Sequence, residues 1–134
     1  MKKIISVILF ITIMFSFAGC GQKPIETVIR DVESEMFSQE EIYSAIDVIQ
    51  NELKMSWKGC SLTEVCYAGD EISRAEAAYH GVEEGNLIVL SSSMYVAPHG
   101  GDGSLNTDYT YEDWGWMLVK SDSGKWIHID HGYA

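Results

Sequence analysis

Phe37-Ser-Gln-Glu-Glu-Ile42-Tyr-Ser-Ala-Ile46-Asp-Val-Ile49-Gln-Asn-Glu-Leu53-Lys-Met-Ser-Trp57 decides how the chain folds. Ser38 with Glu41 three residues on is a capping-box start, and Phe37 with Ile42 suits a hydrophobic staple across it. Ile42, Ile46, Ile49, Leu53 and Trp57 then recur on one face of a helix. Gly59 follows as a stop, with Lys54 and Lys58 near the negative end of the helix dipole. The spacing predicts one long amphipathic helix. Ile46 and Ile49 sit mid-stripe, whereas Gln50 and Glu52 lie off it and are expected to be energetically neutral.

Downstream the period changes. Residues 61–67 alternate and are rich in β-formers (Leu62, Thr63, Val65, Tyr67), which predicts a strand. Residues 68–86 are acidic and broken by Gly69, Gly81 and Gly85, with room for a short helix at about 70–80. Residues 87–96 read as a long strand and 98–108 as a Gly/Asp/Asn-rich loop. Residues 114–120 and 125–131 flank the turn Ser121-Asp122-Ser123-Gly124 as a hairpin. The expected fold is therefore α+β: one long helix on a curled antiparallel sheet of three to four strands, an arrangement resembling cystatin-like and NTF2-like domains.

Upstream, Lys2 and Lys3 precede an apolar run over residues 4–17. As a helix it would reach about 21 Å, short of a hydrocarbon core of roughly 30 Å, so it reads as a secretory signal. Phe17-Ala18-Gly19-Cys20 resembles the lipobox of bacterial lipoproteins, in which signal peptidase II cuts before a cysteine already carrying diacylglycerol. Phe17 stands where Leu is usual, and Ser16-Phe17-Ala18 also fits ordinary signal cleavage. The resulting division is a signal peptide over 1–19, a lipid-attached tether over 20–37 and a folded domain over 38–134. Cys20 would be the lipidation site, and two acyl chains such as palmitate hold a protein stably at a membrane. The expected location is the extracytoplasmic face of the cell membrane.

The whole chain has 134 residues, with 9 basic against 20 acidic side chains and a formal charge of -11. Loss of Lys2 and Lys3 with the leader makes the remainder still more acidic. Such a body lacks the clustered Lys and Arg that phosphate contacts need, which argues against a nucleic-acid partner. It would also stand off an anionic lipid surface.

Several motifs taken together suggest a family. Lys58-Gly59-Cys60-Ser61-Leu62-Thr63-Glu64, Gly100-Gly101-Asp102-Gly103-Ser104, Asp113-Trp114-Gly115-Trp116, Gly124-Lys125-Trp126 and Asp130-His131-Gly132-Tyr133 resemble those of small lipoproteins of Gram-positive, often gut-dwelling bacteria. Those proteins carry a cystatin-like (NTF2-like) domain of unknown function. The resemblance covers residues 38–133, and Cys66 departs from it where a large aromatic is common. It implies a compartment and a fold, and carries over no reaction.

Chemistry is then weighed residue by residue. From Asp102 as position one, oxygen side chains fall at Ser104, Asn106, Asp108, Thr110 and Asp113, mimicking EF-hand spacing. Thr107 replaces the turn glycine and no helices flank the loop, so the residues read as a polar turn-forming loop, with Asp102 and Asp108 only weak metal candidates. His128 and Asp130 share a strand face while His131 points away. A zinc site built on His128 would need another ligand, such as His99. Cys60 and Cys66 would lie about 20 Å apart in one extended strand, beyond disulfide reach unless the chain bends. Ser91-Ser92-Ser93 lacks nucleophile-elbow glycines.

Tyr109, Tyr111, Trp114, Trp116, Trp126 and Tyr133 cluster late in the chain. They fill the core or, on the sharper reading, line a concave surface for a small ligand, peptide or glycan, with Trp114, Trp116, Trp126 and Tyr111 as the binding residues. The reading is a tethered, non-catalytic domain that needs no cofactor and binds a small ligand or a surface protein. Its alternative is a metal-dependent or hydrolase-like enzyme using the late His/Asp cluster.

Overall fold

A computed structural model describes residues 25–133. Residues 1–24, including Cys20 and the signal segment, lie outside the described residues. The elements in order are β1 (Val28–Arg30), α1 (Gln39–Ser56), β2 (Cys60–Tyr67), α2 (Asp70–His80), β3 (Leu87–Val96), β4 (Tyr109–Lys120) and β5 (Trp126–Tyr133). The five strands form one sheet in sequence order. β1 runs parallel to β2, and every other neighbouring pair is antiparallel.

The class is α+β, but the expectation of one helix on three to four antiparallel strands is corrected. There are two helices and a five-stranded mixed sheet. The extra strand comes from residues read as tether. Val28–Arg30 pairs with Glu64–Cys66, Thr27 Oγ1 donates to the Leu62 carbonyl at 2.7 Å, and Arg30 meets Glu64 at 2.7 Å. Its β-branched residues suit an extended edge better than a helix, and three residues are too few to show alternation. The β1–α1–β2 unit is a parallel crossover, which needs an intervening segment of helix length. The docking continues past β1: the Ser34 hydroxyl and the Glu35 N–H both bond Asp70 at the head of α2.

α1 forms as its sequence dictates. Ser38 Oγ accepts the Glu41 N–H at 3.2 Å, while the Glu41 carboxylate reaches across to Lys120 at 3.9 Å instead of back to the cap. Ile42, Ala45, Ile46, Ile49 and Leu53 are buried against the sheet, with Phe37 beside them. α2 has no such stripe, because its buried face consists of the small residues Ser73 and Ala77. It packs on β3, where Ser73 Oγ accepts the Val89 N–H at 3.0 Å. Leu87 and Val89 alternate with the core residues Ile88 and Leu90, so α2 covers the face opposite α1.

Three irregularities in register reset which residues face α1. Thr63 is an extra residue in β2, Glu112–Asp113 hold one in β4, and Ile129 is extra in β5. Each bulge reverses the alternation beyond it. In β4 this puts Tyr111 on the same buried face as Trp114, Trp116 and Leu118, with Asp113 taking the positive φ of 53° that the bulge requires. In β2 it keeps Cys60 inward but turns Cys66 to the other face, so the two thiols are free and point apart. Inside the core, Ser92 Oγ accepts the Trp116 indole N–H at 2.8 Å and donates to the Trp114 carbonyl at 2.9 Å. That satisfies a hydroxyl and an indole that would otherwise be stranded.

Candidate functional site: an aromatic cleft beside a histidine pair

The site begins where α1 stops. The Trp57 N–H bonds the Leu53 carbonyl at 3.1 Å as the helix's last bond, and Gly59 turns the chain with a φ of +73°. A Cβ on Gly59 would lie 2.5 Å from the Gly100 Cα, so both glycines are needed for the backbones to touch. Ala97 N–H to Gly59 O at 2.9 Å and Gly101 N–H to Lys58 O at 2.7 Å then pin the 97–101 loop to the helix exit. This clamp forms one wall of a cleft of about 690 Å³. Trp57, Trp114 and His131 line its aromatic side, with Lys58, Asp102 and Ser104 among the polar groups around it.

The floor is built by the β5 bulge. His131 lies opposite Trp116 and His128 opposite Leu118, so both rings face α1 and the expectation that His131 points away is corrected. Without the extra Ile129, the odd spacing between them would have divided the two faces. His131 stands edge-on to Trp57 with centroids 4.7 Å apart and stacks on Trp114 at 6.0 Å and 22°. His128 Nε2 lies 3.2 Å from His131 Nδ1 and 3.0 Å from the Asp130 carbonyl. On its other side, His128 Nδ1 is 2.5 Å from Glu52 Oε2. Glu52 Oε2 is buried and makes no hydrogen bond among the described residues. The approach is close, and the His128 side chain is only 10% exposed. Glu52 is therefore no neutral surface position.

Partial burial, then the neighbouring His128, hold the His131 imidazole below the usual histidine range, against the pull of Asp130 and Glu52. Burial pushes the Cys60 thiol up, with a smaller push from Asp102 opposed by the Gly101 N–H. Burial also raises Cys66. Both thiols stay protonated at neutral pH, the inert state of a cysteine.

The four aromatics read as binding residues separate. Trp116 is enclosed in the core, and Trp126 sits at the opposite end of α1, 5.8 Å from Phe37 and under Lys120. Tyr111 is buried with its hydroxyl accepting the Asn106 N–H at 2.8 Å. Only Trp114 reaches the cleft, its indole N–H buried without a partner among the described residues. Trp57, read only as the end of a helical stripe, supplies the other indole.

The polar loop is used locally. Asp102 Oδ1 accepts from the Ser104 N–H and hydroxyl, which lowers its carboxyl pKa, and Asp108 Oδ1 accepts the Tyr95 hydroxyl at 2.9 Å. Thr110 and Asp113 belong to β4 and cannot wrap an ion with the loop. Among the described residues no group of three or more His, Cys, Asp or Glu side chains is placed to hold a metal. The cleft is lined by none of His99, His128, Asp130 or Asp113.

No protein-family model, curated protein or solved structure matches the chain.

Proposed function

We propose that the chain is a lipid-anchored lipoprotein of the extracytoplasmic membrane face, held through Cys20, whose domain binds a small ligand without transforming it. The anchor rests on Lys2-Lys3, the apolar run and Ala18-Gly19-Cys20. With β1 starting at Val28, residues 21–27 separate the anchor from the sheet.

The observation that carries binding is the cleft itself: two indoles flanking an imidazole, with Lys58, Asp102 and Ser104 in the same lining. A concave, mostly preformed site of mixed character fits a ligand with a flat apolar face and a hydroxyl-bearing edge, as a sugar ring has. The histidines nearest the cleft contact each other, Glu52 and indoles, and none activates a neighbouring Ser or Cys, which favours binding over hydrolysis.

Two measurements test the two halves. Cys20→Ala should abolish fatty-acid labelling and release the protein from membranes; unchanged labelling would exclude the anchor. A thermal-shift screen of the detergent-purified protein against mono- and oligosaccharides should give hits that Trp57→Ala abolishes. Hits indifferent to Trp57, or a panel without hits, would contradict the cleft as the binding site.

A further inference from the structure

The contact between His128 Nε2 and His131 Nδ1 at 3.2 Å has room for one hydrogen. Whichever ring carries it, the other must present a lone pair. A second proton would set N–H against N–H and one positive charge against another, turning the contact repulsive. The same His131 ring forms the cleft floor between Trp57 and Trp114.

We infer that His128 and His131 form a proton switch: at neutral pH their shared hydrogen seats His131 against the two indoles, and acidification drives it off and opens the cleft floor. This rests on reading the cleft as the binding site, and supplies its regulation.

The surroundings favour a step, not a gradual drift. Glu52 on α1 turns a carboxylate oxygen toward His128 Nδ1 at 2.5 Å. Asp130 turns its carbonyl toward His128 Nε2 at 3.0 Å, while its carboxylate accepts the His131 backbone N–H at 2.9 Å. From β4, Trp114, Trp116 and Leu118 face the pair, and none of them titrates. Lys58 and Asp102 line the same cleft with opposite charges. A carboxylate thus faces His128 directly, whereas His131 faces the two indoles and the other imidazole. Titratable groups coupled this closely take up protons in two macroscopic steps belonging to the pair.

The test uses the full-length, ligand-free protein in detergent micelles, followed by imidazole and indole nitrogen NMR from pH 7.5 to 4.5. The expected result is two histidine steps, the second proton binding at least about tenfold more weakly than the first. The Trp57 and Trp114 indole signals should move with the second step, and the Trp126 signal should not. His128→Gln should turn the His131 titration into a single step at higher pH. Glu52→Gln, a milder change, should draw the two steps together. Independent single-step titrations of the two rings, or Trp57 and Trp114 signals that ignore pH, would overturn the switch. Because no ligand is present, this outcome is separate from whether the cleft binds one. A sugar hit whose Kd is unchanged between pH 7.5 and 5 would leave the cleft standing and remove its regulation.

Discussion

His131 stands edge-on to Trp57, ring centroids 4.7 Å apart and planes at 77°, joining the last strand to the exit of the first helix. Trp57 also meets Trp116 edge-on at 5.3 Å. The two contacts make Trp57 both a cleft wall and a fastener. Each aromatic pair contributes about 0.5–1.5 kcal/mol beyond area burial, so Trp57→Ala should cost at least about 1–3 kcal/mol in urea melts. Trp57→Phe should retain most of that. Equal losses for the two variants would mean that the ring contacts contribute nothing.

The glycine clamp gives a second contrast. Gly59→Ala meets both a left-handed backbone and the Gly100 Cα at 2.5 Å, and should destabilise by more than about 2 kcal/mol. Gly124 has a similar φ of +81° but nothing within 4 Å of a built Cβ, so its Ala variant should cost only about 1–2 kcal/mol. Matching melts would show that the close approach to the 97–101 loop is unimportant.

Ser92 is the third case. Replacing it with Ala strands the buried Trp116 indole N–H and should cost about 1–3 kcal/mol. Ser91 alternates to the other face, and its Ala variant should stay within about 0.5 kcal/mol. Equivalent effects would argue against the register of β3 and β4.

Much of this was legible in the residues. The Ser38 cap, the Ile42–Leu53 stripe and the Leu87–Val96 strand follow directly from period and capping. The second helix was readable as a local element but not as a layer, since Ser73 and Ala77 carry no hydrophobic signal. The parallel strand was hidden by its length. The site was least legible because bulges make it: nothing in His128-Ile129-Asp130-His131 marks Ile129 as the extra residue that brings the two histidines together. Glu52 looked like a solvated helix position for the same reason, its partner being placed by a register shift.

The dependence of stability on pH follows from the depressed His131. Its unfolded pKa is about 6.5, above the folded value, so the unfolded chain binds the proton first. The corresponding stability is present in full above about pH 6.5 and is lost as pH falls through the lower, folded value. Urea midpoints should drop between pH 7.5 and 5, and His131→Gln should drop less. Asp70 acts in a separate, more acid window. Burial alone would raise its carboxyl, but Ser34, the Glu35 N–H, Tyr67 and Arg74 together hold it low. Its contribution survives above about pH 4 and disappears below. A wild-type midpoint flat from pH 7.5 to 5 would contradict the His131 environment.

The most direct measurement follows the indole N–H signals of Trp57, Trp114, Trp116 and Trp126 while the protein is titrated with each sugar that stabilises it. Trp57 and Trp114 line the cleft, and Trp126 lies at the other end of α1 beside Phe37. Saturating shifts of Trp57 and Trp114 with Trp126 unmoved are the predicted result. Shifts centred on Trp126, or stabilising sugars that leave Trp57 and Trp114 unchanged, would contradict the cleft as the place where this protein binds.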